Sequence, residues 1–178
     1  MPMARAPGGG AREVLLLPVK PWFIAFTLAL ALIFDFLPLG RLAWMPDAVA
    51  LTLVFWNVHQ PRRVGMAVSF VLGLMVDVQQ GAVLGQHALI YTVLSYFAIS
   101  LHRRMLWFPA LQQALHVLPL FVAAQVLLLL VGMWSGGSFP GWSFFLAPLL
   151  QAALWAPLSW LLLAPQRRAP DSDRNRPL

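Results

Sequence analysis

Residues Val64–Val78, VGMAVSFVLGLMVDV, decide the fold. Gly65, Ser69, Gly73 and Asp77 recur there at a spacing of four, so they form one stripe along a helix. In lipid, a row of small residues lets a second helix backbone come close. Asp77 then sets a carboxylate where charge is costly, so it faces protein or a wet cavity and not acyl chains. The segment reads as a membrane helix with a closely packed partner and a polar site near one end.

The whole chain agrees with that reading. Its 178 residues are 60% hydrophobic and 10% charged, with a mean hydropathy of +0.75. A soluble domain is roughly 45–50% apolar and about 25% charged. So much apolar surface has no single water-soluble core to hide in, and lipid must cover the rest. The fold class is all-α and polytopic. The net charge of +6 comes in short clusters between apolar runs, without the basic face and interleaved aromatics of a nucleic-acid binder. With no cysteine, disulfides, thiolate metal sites and cysteine nucleophiles are excluded. HExxH, GxSxG and Walker-type motifs are missing as well, and no cofactor is expected.

Six apolar runs approach the roughly 20 residues that a spanning helix needs: Trp22–Leu39, Leu42–Val58, Val64–Val78, Val83–Leu101, Leu111–Met133 and Phe144–Leu163. The second and third are short, and either tilt little, thin the bilayer locally or use flanking residues to reach the interface. Breakers separate the runs at Pro38–Gly40, Gln60–Arg63, Gln79–Gly81, His102–Arg104 and Ser135–Gly141. Pro119, Pro148 and Pro157 lie within helical runs and predict kinks. Arg5, Arg12 and Lys20 precede the first run, and Arg62–Arg63, Arg103–Arg104 and Arg167–Arg176 follow the second, fourth and sixth, leaving only Arg41 on the other side. The positive-inside rule therefore predicts six crossings with both termini cytoplasmic. Residues 1–20 and 165–178 read as disordered cytoplasmic flanks around a transmembrane domain spanning 21–164, and no internal repeat is visible. Trp22, Trp44, Trp56, Trp107, Trp134, Trp142 and Trp160 fall near run ends, as an aromatic belt requires.

With that orientation, Asp35 and Asp77 each lie thirteen residues into a run entered from the cytoplasm, roughly 20 Å up. Gln86, His87, Gln125 and Gln151 fall in the same outer layer. The layer reads either as a pocket open to the outside or as polar stitching between helices. Asp77, as an intramembrane carboxylate, is the first candidate for a functional role, and its position suggests a cap on the amides that open the next helix. His87 has no second histidine at metal-ligand spacing. Ala25 and Ala29 form a weak small-residue pair on the first run.

The stretch Leu53–Phe97, LVFWNVHQPRRVGMAVSFVLGLMVDVQQGAVLGQHALIYTVLSYF, resembles the bacterial rod shape-determining MreD family. Phe55-Trp56, Pro61, Gly65, Gly73, Asp77, Gly81 and the turn Gly85-Gln86-His87-Ala88 carry the resemblance. It implies a non-catalytic subunit of the cell-wall elongation machinery in the bacterial inner membrane. The expected partners are an MreC-like bitopic protein, the actin-like MreB filament, a glycosyltransferase and transpeptidase pair, and membrane lipids, with a homo-oligomer as a further possibility. Trp56, Pro61, Asp77, Gly81, Gly85 and Gln86 then become candidate structural or partner-docking residues, with Gly65, Ser69 and Gly73 as packing residues. The family is also similar in architecture to the substrate-binding subunits of energy-coupling-factor transporters, which makes a small-molecule-binding subunit the alternative. Hydrogen-bonding groups are sparse in the outer layer, which favours the scaffold.

Overall fold

The computed structural model describes residues 19–37 and 44–166, and within them every regular element is helical. The helices are α1 (Pro21–Phe36), α2 (Ala48–His59), α3 (Gly65–Gln80), α4 (Gln86–Met105), α5 (Ala110–Trp134) and α6 (Leu146–Leu163). Short 3₁₀ turns at Trp142–Phe145 and Ala164–Gln166 flank α6. Most residues of the expected terminal flanks, together with Arg41 and the Arg167–Arg176 cluster, lie outside the described residues.

Local chemistry sets the helix ends. Pro21 opens α1, where its missing N–H is not owed to any carbonyl. Asp47 caps α2 by accepting from Ala50 N at 2.7 Å, which puts the start of this helix at Ala48, later than the apolar run suggested. Gly81, at φ +61°, closes α3 in the left-handed conformation that glycine allows. Gly85, at φ +98°, delays the start of α4 to Gln86, and α4 then runs on through Arg103 and Arg104 to Met105. Pro148 is the third residue of α6, so it breaks no internal bond; Pro119 and Pro157 do lie inside their helices.

α2 is the hub. Every residue from Val49 to Val58 is buried, and α1, α3, α4 and α6 all pack around it. The α3–α4 pair has the most extensive interface, followed by α5–α6. The periphery is apolar. On α1, Trp22, Phe26, Leu30 and Ile33 form an exposed stripe, and on α5 Leu111, Leu115 and Leu130 are open. α5 and the segment Trp142–Gln166 are long and apolar enough to cross a membrane; α1, α2 and α3 are apolar but shorter.

The tryptophans divide in two. Trp22, Trp44, Trp107, Trp134, Trp142 and Trp160 are exposed, as a belt requires. Trp56 corrects the sequence expectation. It is 0% exposed, packed edge-on against Phe23 and Phe55, with its ring N–H donating to Thr27 Oγ1 at 2.8 Å. Burial inside the chain takes Trp56 out of the aromatic belt and gives it a structural place in the core.

Candidate functional site

The small-residue stripe of α3 faces α4. At Gly73, an added Cβ would lie 2.5 Å from Ala88 N and 2.7 Å from His87 C, distances that real side chains do not reach. Here the two backbones touch. One turn earlier, Ser69 Oγ lies 2.6 Å from Ser95 Oγ, which also accepts from Asn57 Nδ2 at 2.8 Å. This hydroxyl pair ties α2, α3 and α4 together, and Asn57 Oδ1 remains buried without a partner. Gly65 departs from the packing expectation: a Cβ there meets nothing within 4 Å. Its φ of +59° is what the chain needs as it enters α3, and its carbonyl accepts from Ser69 Oγ at 3.0 Å.

Asp77 ends the stripe, 1% exposed. Its Oδ2 accepts from Gly85 N at 2.9 Å and, at longer range, from Ala88 N at 3.4 Å. Oδ1 accepts from His87 N at 2.7 Å and lies 2.8 Å from His87 Nδ1. The carboxylate of one helix therefore satisfies the orphan amides that open the next, where the helix dipole also favours a negative charge. Gly81 and Gly85 shape the turn that brings those amides round; at neither would a Cβ meet anything within 4 Å, so backbone conformation is what they supply.

Asp35 repeats the device in the first hairpin. It accepts from Ala48 N at 3.2 Å and Val49 N at 3.0 Å, the first amides of α2. Thus the acid-capped hairpin occurs twice, although the sequence shows no repeat. Asp47 joins it to the rest of the bundle: its carboxylate accepts from Tyr91 Oη at 2.6 Å, and its carbonyl accepts from Gln151 Nε2 at 3.2 Å. Gln125 Nε2 donates to Phe144 O at 3.0 Å, in the turn that leads into α6. Gln86 Nε2 reaches Leu128 O at 3.4 Å, linking α4 to α5. Each of these outer groups binds backbone, most of it where a helix begins. Pro61 lies in the α2–α3 turn, partly exposed.

Sequence reasoning overlooked Asp47, Tyr91 and Ser95, and it gave Asn57 only a depth and no partner. Asp47 had a visible signal, an acid directly before an apolar helical run. The other three pair across long sequence separations that no local pattern reports. Among the described residues, no three His, Cys, Asp or Glu side chains gather as a metal site requires.

A helical bundle with an apolar exterior, in which buried polar groups such as Asp77, Ser69, Ser95 and Gln151 join one helix to another, defines a helical membrane protein. The chain belongs to the MreD family of rod shape-determining proteins, whose family model matches residues 13–164. It is 33% identical over 149 residues to the rod shape-determining protein MreD of Haemophilus influenzae, covering 82% of this chain and 86% of that one. No solved structure matches.

Proposed function

We propose that this protein is a non-catalytic scaffold of the cell-wall elongation complex, held in the bacterial inner membrane by six crossings with both termini in the cytoplasm. One observation carries the reading: both oxygens of Asp77, the acid of the stripe, are taken up by the start of α4. An acid so occupied builds a shape and has little left for chemistry. The six-crossing topology is supported by the positions of Lys20, Arg62, Arg63, Arg103 and Arg104, which fall at the start of α1, the α2–α3 turn and the end of α4. At 16 residues, α1 and α3 are each about 24 Å long, so the bilayer around them thins.

The partners of this reading are an MreC-like bitopic protein, the peptidoglycan synthases and, from the cytoplasmic side, the MreB filament. For the spanning helix of the MreC-like protein we assign the apolar groove between Phe36 of α1 and Val71, Leu74, Met75 and Val78 of α3. It lies on α3 away from Asp77, so the α3–α4 lock sets the pose of the docking face. Full-length protein carrying Met75→Trp should stay folded and lose the MreC-like partner on mild-detergent co-purification. Retention of the partner at wild-type level would sink the assignment. Topology is read separately: Ser138→Cys, in a chain otherwise free of cysteine, should label only from the periplasmic side.

A further inference from the structure

Charge is sorted between the two ends of the bundle. Among the described residues, the acids Asp35, Asp47 and Asp77 all lie at the end where α2 and α4 begin. The described cations all lie at the other end: Lys20 before α1, Arg62 and Arg63 in the α2–α3 turn, and Arg103 and Arg104 in the last turn of α4. Arg63 donates to the Val19 carbonyl, which ties the α2–α3 turn to the chain beside Lys20. Contact between Ser69 and Ser95 sets α3 antiparallel to α4 and brings Arg103 and Arg104 to the same rim. All five cations are exposed. Among the described residues the one ion pair joins His87 to Asp77 at the far end, so no described acid neutralises this rim. The α4 dipole favours Arg103 and Arg104, and topology is set by such cations during insertion, but neither supplies a counter-ion to the folded protein.

The surface next to these cations is apolar. On α4, Phe97 and Leu101 are exposed within two turns of Arg104, and on α3 Met66 and Phe70 are exposed within about two turns of Arg63. Trp107, 89% exposed, follows just beyond α4, as an indole at headgroup level does. An acidic peptide or a nucleic acid would meet the cations and leave the apolar skirt unused. A phosphate joined to acyl chains meets both, and guanidinium groups bind phosphate oxygens through paired hydrogen bonds. We propose that this rim is a binding site for an anionic phospholipid, with its phosphodiester on the exposed arginines and its acyl chains along α3 and α4. The inference rests on the membrane topology proposed above. The two fail separately, because labelling of Ser138→Cys reads topology whatever lipid is bound.

The test uses full-length protein with a bimane on Ser100→Cys, an exposed position one turn before Arg104. It is reconstituted in phosphatidylethanolamine bilayers with a graded fraction of phosphatidylglycerol or phosphatidylcholine carrying brominated, quenching acyl chains. Phosphatidylglycerol should reach half-maximal quenching at a mole fraction about tenfold below phosphatidylcholine, and high salt should narrow the gap. The same label on Ser138→Cys, at the far end, should show no comparable preference. Arg103→Gln combined with Arg104→Gln should remove most of the preference while leaving the thermal transition in place, because both side chains are exposed. The paired lysine variant keeps the charge and should retain more of it. Equal quenching by the two lipids at Ser100→Cys, an equal preference at Ser138→Cys, or a preference that survives the paired Gln variant would each overturn the proposal. Equal quenching together with capture of a polyglutamate peptide would also overturn it, and would make the rim a protein-docking surface.

Discussion

The two N-terminal hairpins, α1–α2 and α3–α4, use the same polar device and opposite packing. In each, an aspartate on the first helix accepts from the amides that open the second. Around Asp77 the helices are drawn together by Gly73, which puts backbone against backbone. In the first hairpin the helices meet through bulk, at the end away from Asp35, where Trp56 packs edge-on against Phe23 and Phe55 and is tied to Thr27. Where lipid is the solvent, helix association gains little from hiding apolar surface and relies on close packing and internal hydrogen bonds. Both hairpins meet that requirement, but the glycine version leaves no room for adjustment, whereas an aromatic contact has rotamers to relax.

That contrast is broken most directly at Gly73, where the largest effect is expected. Even Gly73→Ala puts a Cβ into Ala88, and the atoms in its way are backbone. Overpacking costs about 1–3 kcal/mol when side chains can move aside, and here they cannot. Gly73→Ala should therefore lower the thermal transition of the protein in nanodiscs beyond Trp56→Phe, which loses one hydrogen bond worth about 1 kcal/mol and leaves a small cavity that neighbouring side chains can partly fill. Gly73→Leu should prevent assembly of the hairpin. If Gly73→Ala melts like wild type, the close approach of α3 and α4 is wrong and the contrast between hairpins disappears.

Much of the second hairpin was legible in the sequence because its signals are local and periodic. The spacing of four from Gly65 to Asp77 gives the face, and Gln79-Gln80-Gly81 followed by Gly85 gives the turn that delivers amides to Asp77. The first hairpin was harder to read. Asp35 reaches Ala48 and Val49 across a connection whose length hides the pairing, and Asp47 meets Tyr91 and Gln151 at separations of 44 and 104 residues. Trp56 shows a different limit. Sequence position gives depth along a helix, but the direction in which a side chain points depends on partners that periodicity does not name. Gly65 shows a third, since the spacing that marks a packing row also included a glycine required only by its φ.

The two acids give the next largest effect and rank the hairpins against each other. Asp77→Leu strands two closely bonded amides and a third at longer range, and it leaves the His87 ring without its carboxylate. Each buried donor left dry costs about 1–3 kcal/mol. Asp35→Leu strands two amides at a partly exposed position, where water can replace the lost partner. The expected order of destabilisation is Asp77→Leu, then Asp35→Leu, then the asparagine variants, which keep an acceptor oxygen. Co-purification of the MreC-like partner should follow the same order if the lock sets the docking face. An Asp35→Leu protein that melts below Asp77→Leu would reverse the ranking and make the first hairpin the keystone.

The smallest effect is expected at Gly65, and it separates two meanings of one stripe. Gly65 and Gly73 stand eight residues apart on the same helix face, and by sequence they are equivalent. In space, Gly73 presses on Ala88 while Gly65 has nothing within 4 Å of a would-be Cβ. The cost of Gly65→Ala is therefore confined to holding a non-glycine residue at φ +59°, roughly 1–2 kcal/mol. That penalty belongs to the backbone, so Gly65→Asn, which tolerates the left-handed region better than alanine, should recover part of it. No asparagine substitution should help at Gly73, where the obstacle is occupied space. Thermal transitions of the four single variants, measured in the same nanodiscs, decide the matter. Equal losses at both glycines, with no recovery by Asn at Gly65, would mean that α3 uses its whole stripe for packing.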